Sequence, residues 1–390
     1  MQVMGEKLDT EKIQHILRKC APLPGLECLD GSEDIELEEI GDGNINDVFR
    51  VTSVKERSQS LVVKHGPAYI KCLGPEFPLS IVRLKVEYNA LAAFQRICPG
   101  YSPCPYYFDV ETNAVLMEDL RDHSIMRKEL ISGYINMETV KKIAYFLGCV
   151  HRDTHVSKLS EAEFEKLQQD FQNEDMVSLT RQYIFTRPFD KTDPTNRCSE
   201  AVQKKLHLVY EDPGLLDSVW KMRNLFLEKK ECLVHGDLHT GSVLVSNNSA
   251  KVFDNEFAYV GPAAFDLGLL IANYIFSYYR HMSTQENHDT HRKFSQKLIE
   301  ACYLTVNTYL SVMTCTVGQR HEYLNNLLTE TAGFAGCEII RRIIGTAHVE
   351  DLEGIPYAEE DALEAGVRLL LGHDRIHTID RLMVIALMLT

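Results

Sequence analysis

The sequence predicts an α+β chain of two lobes, strand-rich over residues 1–117 and mainly helical over 122–390, joined at 118–121. Three observations predict it. Short apolar runs bounded by turn residues, the pattern of strands, dominate the first part. Apolar residues at helical spacing dominate the rest, in segments 137–152, 161–171, 199–211, 214–230, 263–281, 289–313, 321–344 and 358–371. The 390 residues also exceed the size at which one core stops growing, about 250–300. Strands first and helices afterwards argue for α+β.

The elements follow in order. Residues 8–20 put Ile13, Ile16 and Leu17 on one helical face, with Asp9 or Thr10 as cap. The run from Ile35 to Ile40 leads into GDGNIN at 41–46, and Asp47 to Val51 leads out. Strand, glycine-rich turn and strand is the form that lets a backbone approach phosphate oxygens with no Cβ in the way, although most such turns are plain hairpins. The next strand, Leu61 to Lys64, ends on a lysine. Residues 65–80 read as a proline-broken loop, and a helix follows from about Leu79 to Gln95 with Leu84, Leu91 and Phe94 inward. Glu87 on that helix is a candidate partner for Lys64. After a Pro/Cys-rich turn come strands Tyr106 to Val110 and Ala114 to Leu120, the second ending in Met117-Glu118-Asp119-Leu120.

The chemistry concentrates at 231–256, ECLVHGDLHTGSVLVSNNSAKVFDNE. Short apolar runs flank the polar turn HGDLHTGS, and another ends on Asp254-Asn255-Glu256. Carboxylates therefore sit at strand ends: Asp237 in the first loop, Asp254 and Glu256 after the second. Phosphoryl transfer needs such a set, one carboxylate for the nucleophile's proton and others for a metal on the phosphates. Two look-alikes are set aside. His151-Arg152-Asp153 continues the apolar face of Ile143, Phe146, Leu147 and Val150, so it reads as a helix end. His235 and His239 have i,i+4 spacing, but Gly236 stands where a zinc helix carries glutamate; His235 reads as a brace for the loop. Late in the chain, GFAGCEIIRRIIGTAHV places Arg341 and Arg342 inside an apolar helix. Glu338 lies within helical reach of both, but one glutamate is expected to satisfy only one exposed arginine, leaving the twin arginines for another role.

Composition excludes several classes. A net charge of −15 argues against nucleic acid as a partner. No apolar stretch is long enough to span a bilayer, and the polar start MQVMGEKLDTEKIQ lacks a signal peptide's apolar region. The eleven cysteines are scattered, so reduced thiols and a cytoplasmic location are expected.

The layout resembles kinase-like small-molecule phosphotransferases, whose loop reads H-G-D-x-H-x-x-N. Ser242 replaces the asparagine here, and Asp254-Asn255-Glu256 replaces D-F-G. With HGDLHTGS, GPAAFDLG at 261–268, RPF and DPTNR within 184–197 and the twin arginines, the sequence closely resembles the S-methyl-5-thioribose kinase family over about residues 36–350. The resemblance implies a bilobal protein-kinase-like fold. It implies transfer from ATP to the anomeric hydroxyl of 5-methylthioribose, a homodimer, and Mg²⁺ held by Asp254 and Glu256. Asp237 would be the catalytic base and touch the sugar with Arg341 and Arg342. Asn46, Lys64, the hinge Glu118-Asp119-Leu120 and Asp254-Asn255-Glu256 would contact ATP. Kinases of aminoglycosides, choline or homoserine are the alternatives, as is an ATP-binding pseudokinase; intact Lys64, Asp237, Asp254 and Glu256 argue against the last.

Overall fold

The computed structural model describes residues 8–40, 45–71, 74, 76–313 and 320–389, with side chains at 320–322 and 324 excepted. The chain forms two compact units. The first is Met1–Asp122 with Phe253–Phe257, and the second is His123–Val252 with Ala258–Thr390.

The first unit is built on a five-stranded antiparallel sheet. Its strands are β1 (Ile35–Glu39), β2 (Asp47–Ser53), β3 (Ser60–His65), β4 (Pro105–Asp109) and β5 (Ala114–Glu118), in spatial order β1-β2-β3-β5-β4. Side chains alternate between its faces. Leu61 and Val63 of β3 and Ala114 and Leu116 of β5 pack with Ile13, Ile16 and Leu17 of helix α1 (Thr10–Cys20), which Asp9 caps through the Lys12 amide. Val115 and Met117, with Val62, pack against Leu84 and Leu91 of α2 (Val82–Ile97). Lys64, two residues beyond Val62, therefore points to the α2 face. Helix α2 starts three residues later than the sequence suggested, because Leu79 is still bonded to the preceding loop through Ala68 O.

The second unit is helical: α3 (Met126–Ile131), α4 (Met137–Asp153), α5 (Glu161–Asp170), α6 (Glu174–Phe185), α7 (Glu200–Gln203), α8 (His207–Tyr210), α9 (Pro213–Glu228), α10 (Ala263–Ser283), α11 (His288–Met313), α12 (Arg320–Ile344), α13 (Pro356–Gly372) and α14 (Ile379–Leu387). Small strands complete it: β6 (Ser124–Ile125), β8 (Val243–Val245) and β9 (Ala250–Val252) form one sheet, and β7 (Cys232–Val234) pairs with β10 (Tyr259–Gly261). The strands flanking HGDLHTGS thus pair with different partners rather than each other. Helix α10 is buried almost throughout and packs on α11, α12 and α13. Small residues permit the approach: a Cβ on Gly268 would lie 2.7 Å from Phe334 Cβ, and one on Gly336 2.8 Å from Gly366 O.

Four helical expectations change, among them α3, which was not anticipated. The segment 199–211 is two short helices, α7 and α8, because i→i−3 bonds tighten the chain at Lys205 and Leu206. There Lys205 leaves the helical line to reach Glu360 and Glu364 of α13. Helix α6 was not anticipated, nor was α14, which buries Leu382, Met383 and Ala386. No helix among the described residues is long and apolar enough to cross a membrane. Cys98, Cys149, Cys232, Cys302 and Cys337 are buried and unbridged.

Candidate active site

The first unit gathers one charged cluster. Lys64 Nζ lies 2.8 Å from Glu87 Oε2, bonds Asp254 Oδ1, and stands 4.0 Å from Glu256 Oε1. Asp254 adopts φ +67°, a left-handed turn that L-residues rarely take, and its side chain is 40% exposed. Glu256 is buried in a closed ring. Asn46 Nδ2 donates to Oε1 at 2.9 Å, Arg83 Nε donates to Oε2 at 3.1 Å, and Arg83 Nη2 donates to Asn46 Oδ1 at 3.0 Å. Arg83 is itself fixed by the carbonyls of Ser80 and Pro67.

Three carboxylates, Glu87, Asp254 and Glu256, thus share two cations, Lys64 and Arg83. Burial, with the neighbouring carboxylates, pushes the Glu87 and Glu256 carboxyls upward against the pull of Lys64. Burial alone would weaken the Lys64 ammonium, but Asp254, Glu87 and Glu256 outweigh it and raise its pKa. The cluster carries an excess of negative charge made only of oxygen donors, the donor set that suits a hard divalent cation. Glu256 is also drawn on by Lys64, 4.0 Å from its Oε1.

Of the other nucleotide candidates, Glu118 closes β5, and its Oε2 accepts the Cys104 amide at 3.0 Å. The Asp119 carboxylate is committed within its own unit: it accepts from Arg50 Nε, Ser60 Oγ and Arg121 Nε at 3.0, 2.7 and 2.9 Å. What this stretch from Glu118 to Leu120 can offer a purine is therefore backbone. Asn255 is fully buried, and no hydrogen bond reaches its side chain among the described residues. The glycines of the turn at 41–44 lie outside the described residues; Asn46 is the part of that motif on view.

The second unit holds Asp237. Strand β7 delivers the chain to His235, and Gly236 turns it at φ +84°. The turn is stapled from below by Asp266 in the first turn of α10, which accepts the amides of His235 (2.7 Å) and Gly236 (3.0 Å). His151 supports Asp266 at 3.3 Å and meets Tyr309 OH at 3.0 Å, while Asp153 is paired with Arg152. The HRD-like triplet is the end of α4, acting as a prop. Within the loop, His235 Nδ1 accepts the Asp237 amide at 3.2 Å, and Ser242 Oγ donates to Asp237 O at 3.2 Å.

The Asp237 carboxylate lies 3.5 Å from His239 Nε2 and 3.8 Å from Arg341 Nη2. Burial alone would raise it, but His239, Arg342 and Arg341 together hold it well below the usual carboxylate range. Burial lowers the His239 imidazole, and the nearby Arg127 and Arg342 add to that.

The arginine pair corrects one expectation. Glu338, fully buried, serves both: Arg341 donates from Nε and Nη2 at 2.6 and 3.1 Å, and Arg342 from Nε at 2.9 Å. One carboxylate suffices because its two oxygens offer about four lone-pair sites. The segment 184–197 anchors the end of the same helix. Arg197 N–H donates to Ile344 O at 3.2 Å, and Thr346 Oγ1 bonds Thr195 Oγ1 at 2.9 Å.

Sequence reasoning missed Arg83, Asp266, His239, Arg127 and Asp351. Arg83 stands four residues before Glu87, on the same helical stripe, and that spacing was a usable signal. Asp266 lay inside the quoted GPAAFDLG. For Arg127 and Asp351 no local signal exists.

Comparison with known proteins gives the family and the fold. Residues 36–282 match the phosphotransferase enzyme family. A methylthioribose kinase of Geobacillus kaustophilus (strain HTA426) is 34% identical over 351 residues, 85% of this chain and 86% of that one. A methylthioribose kinase of Bacillus mycoides (strain KBAB4) is 35% identical over 349 residues, covering 88% and 87%. Among solved structures, choline kinase from Cryptosporidium parvum Iowa II superposes with a TM-score of 0.52 at 16% identity, covering 96% of each chain, a likeness of fold alone.

Proposed function

The chain belongs to the methylthioribose kinase family of phosphotransferases, and from that premise we propose that it transfers the γ-phosphoryl group of ATP to the anomeric hydroxyl of 5-methylthioribose, giving 5-methylthioribose 1-phosphate and ADP. The observation that carries the substrate reading is the cluster of Asp237, Arg341 and Arg342 around one buried glutamate. About a hundred residues separate the base from the arginines in sequence, yet Arg341 lies 3.8 Å from Asp237.

The new bond joins the anomeric oxygen to Pγ, and the bond from Pγ to the β,γ-bridging oxygen breaks. Asp237 orients the hydroxyl and takes its proton. A carboxylate of low pKa is a weak base, but phosphoryl transfer proceeds through a loose transition state that asks mainly for positioning and charge stabilisation. The proton can move late, when the attacking oxygen has become acidic. Arg341 and Arg342 hold sugar hydroxyls and offset charge on the transferring group. Lys64 holds the triphosphate, with Asn46 and Asn255 beside it and the backbone at Glu118, Asp119 and Leu120 as the adenine contact. Asp254 and Glu256 are the proposed ligands of Mg²⁺, which when bound neutralises charge on the β- and γ-phosphates. A homodimer belongs to the same reading, and light scattering measures it.

The test is ADP release with methylthioribose, ribose, choline and no acceptor. Rapid release with methylthioribose and little with the others is expected, with ³¹P NMR giving a phosphoester on the anomeric carbon. Turnover of choline but not of methylthioribose would overturn the substrate, and no turnover with any acceptor would favour the pseudokinase.

A further inference from the structure

Arg127, which follows β6 at the start of α3, is a third arginine near Asp237. Its Nη2 donates to Asn273 Oδ1 of α10 at 3.0 Å, and its Nε faces Asp351 Oδ2 at 3.1 Å. Its side chain is 14% exposed. The bond from Nη2 is directional, whereas Nε is buried with only the ionic contact to Asp351. Among the described residues, nothing accepts from Nη1.

Three observations say where Nη1 lies and why. A Cβ built on Gly241 would sit 2.9 Å from Arg127 Nη1 and 2.8 Å from His239 Nδ1. Nη1 therefore lies against the HGDLHTGS loop that carries Asp237, and glycine at 241 leaves it room. The Arg127 charge also acts on Arg342, Asp237 and Glu338, so it belongs to the same electrostatic group. Finally, the pair with Asp351 is a poor stabilising device. Asp351 is fully buried, and neither of its oxygens receives a hydrogen bond of good geometry among the described residues. Buried pairs of that kind are commonly no better than apolar replacements, and buried unsatisfied oxygens call for a reason other than stability.

We propose that Arg127 is a third acceptor-binding arginine, its Nη1 presented to an oxygen of the sugar acceptor, with Asn273 and Asp351 as the positioning residues that aim it. This rests on the kinase reading above and deepens it. Arg341 and Arg342 come from α12 and Arg127 from α3, so the acceptor is bound by two separate elements of the second unit.

The experiment removes the pair together, because removing one partner would strand a buried charge. The double variant Arg127→Met/Asp351→Asn should melt within a few degrees of wild type and keep the wild-type KM for ATP. Its kcat/KM for methylthioribose should fall about 10- to 100-fold, the scale of one charge-assisted hydrogen bond. Calorimetric titration with methylthioribose should show the same loss of affinity. A folded double variant with sugar kinetics and affinity within twofold of wild type overturns the proposal. Should it fail to fold, Arg127→Lys decides: it keeps the charge beside Asp351 but loses the fork. A tenfold rise in KM for the sugar at unchanged melting temperature supports the proposal, and unchanged sugar kinetics overturns it. If wild type consumes a different acceptor from the panel, the substrate reading fails and the Arg127 criterion is applied to that acceptor. If no acceptor gives heat or turnover, both fall.

Discussion

Glu338→Gln perturbs the second-unit cluster at its hub. The carboxylate accepts three bonds from two arginines, at 2.6, 3.1 and 2.9 Å, and is fully buried. Glutamine keeps the shape but supplies one oxygen and one NH₂. With its oxygen in the Oε1 position it can still accept from Arg341 Nη2 and Arg342 Nε. Its NH₂ then opposes Arg341 Nε, donor against donor. Two arginines that are about nine-tenths buried lose their shared counter-charge, and Asp237 is the carboxylate left beside them. Breaking a buried ion pair by removing one partner costs about 3–5 kcal/mol. At about 2–4 °C per kcal/mol for a domain of some 200 residues, the melting temperature should drop by roughly 10 °C. Activity should fall too, because Arg341 is no longer pinned beside Asp237.

The assay is a thermal melt by circular dichroism beside steady-state kinetics for each substrate. Inorganic phosphate provides a second check: it should raise the variant's melting temperature more than the wild type's, because it replaces the missing negative charge. A variant melting within about 2 °C of wild type, with unchanged sugar kinetics, would refute the claim that Glu338 holds the pair.

Four further outcomes are expected. Arg342→Lys keeps a charge for Glu338 but loses the planar fork, so kcat/KM for methylthioribose should fall about 10- to 100-fold with little change in melting temperature; a stability loss with normal sugar kinetics would make Arg342 structural. Asp237→Asn should lower kcat by at least ~10² and leave ATP binding intact, as calorimetry would show; near-normal turnover would remove Asp237 from the mechanism. Glu231 is held at about 2, because the His155 ring 3.5 Å away, Lys229 and the Ala263 amide outweigh the upward push of burial. A depressed carboxyl stabilises the fold above its unfolded pKa and loses that contribution as pH falls, here from about 4.5 to about 2. Glu231→Gln should therefore flatten the acid side of the stability–pH curve, by about 3 kcal/mol as an order of magnitude, and an unchanged slope in acid denaturation would remove Glu231 from that role. Glu256→Gln should raise the Mg²⁺ concentration needed for half-maximal rate, and an unchanged Mg²⁺ titration would leave Asp254 as the proposed protein ligand.

Much of the fold could be read from the sequence, because period and turn chemistry are local. The alternation through Leu61, Val62, Val63 and Lys64 by itself assigns the lysine to one face of a sheet. Glu87 on the following helix was identified by its resemblance to the αC glutamate of protein kinases. Long-range pairing could not be read this way. Nothing local in Cys232–Val234 says that it pairs with Tyr259–Gly261 rather than with the strand eleven residues on. The candidate site could be proposed from the sequence where residues sit in a motif, as with Asp237, Asp254 and Glu256. It was illegible where a partner arrives from far away. Arg127 and Asp351 are 224 positions apart and neither lies in a patterned run. The Glu338 misjudgement had another cause. Counting arginines against glutamates counts charges, whereas a buried carboxylate is limited by lone pairs and geometry, and two oxygens accommodated three donors.

Charge arithmetic within each unit says which partner each cluster suits. In the first, Glu87, Asp254 and Glu256 face Lys64 and Arg83, a formal deficit of one positive charge, and the upward push on Glu87 and Glu256 shows that the cluster favours taking up positive charge. In the proposed reading a metal cation would relieve that deficit, and Lys64 would meet negative charge of the triphosphate. In the second, Asp237, Glu338 and Asp351 face Arg127, Arg341 and Arg342, and the formal charges cancel. Burial pushes the Asp351 carboxyl up to about 6 and the His239 imidazole down. A choline-type acceptor brings a fixed positive charge and would need a surplus of carboxylate around it. This cluster has none, and the Asp237 charge is already shared with His239 and two arginines. A neutral sugar imposes no such requirement, and its hydroxyls can accept from arginine N–H groups while the anomeric one donates to Asp237. In the proposed mechanism the three guanidinium groups would offset the negative charge of the transferring phosphoryl group. On the proposed reading the likeness of fold to a choline kinase does not carry its acceptor with it, because the formal charges around Asp237 suit a neutral polyol better than a fixed cation.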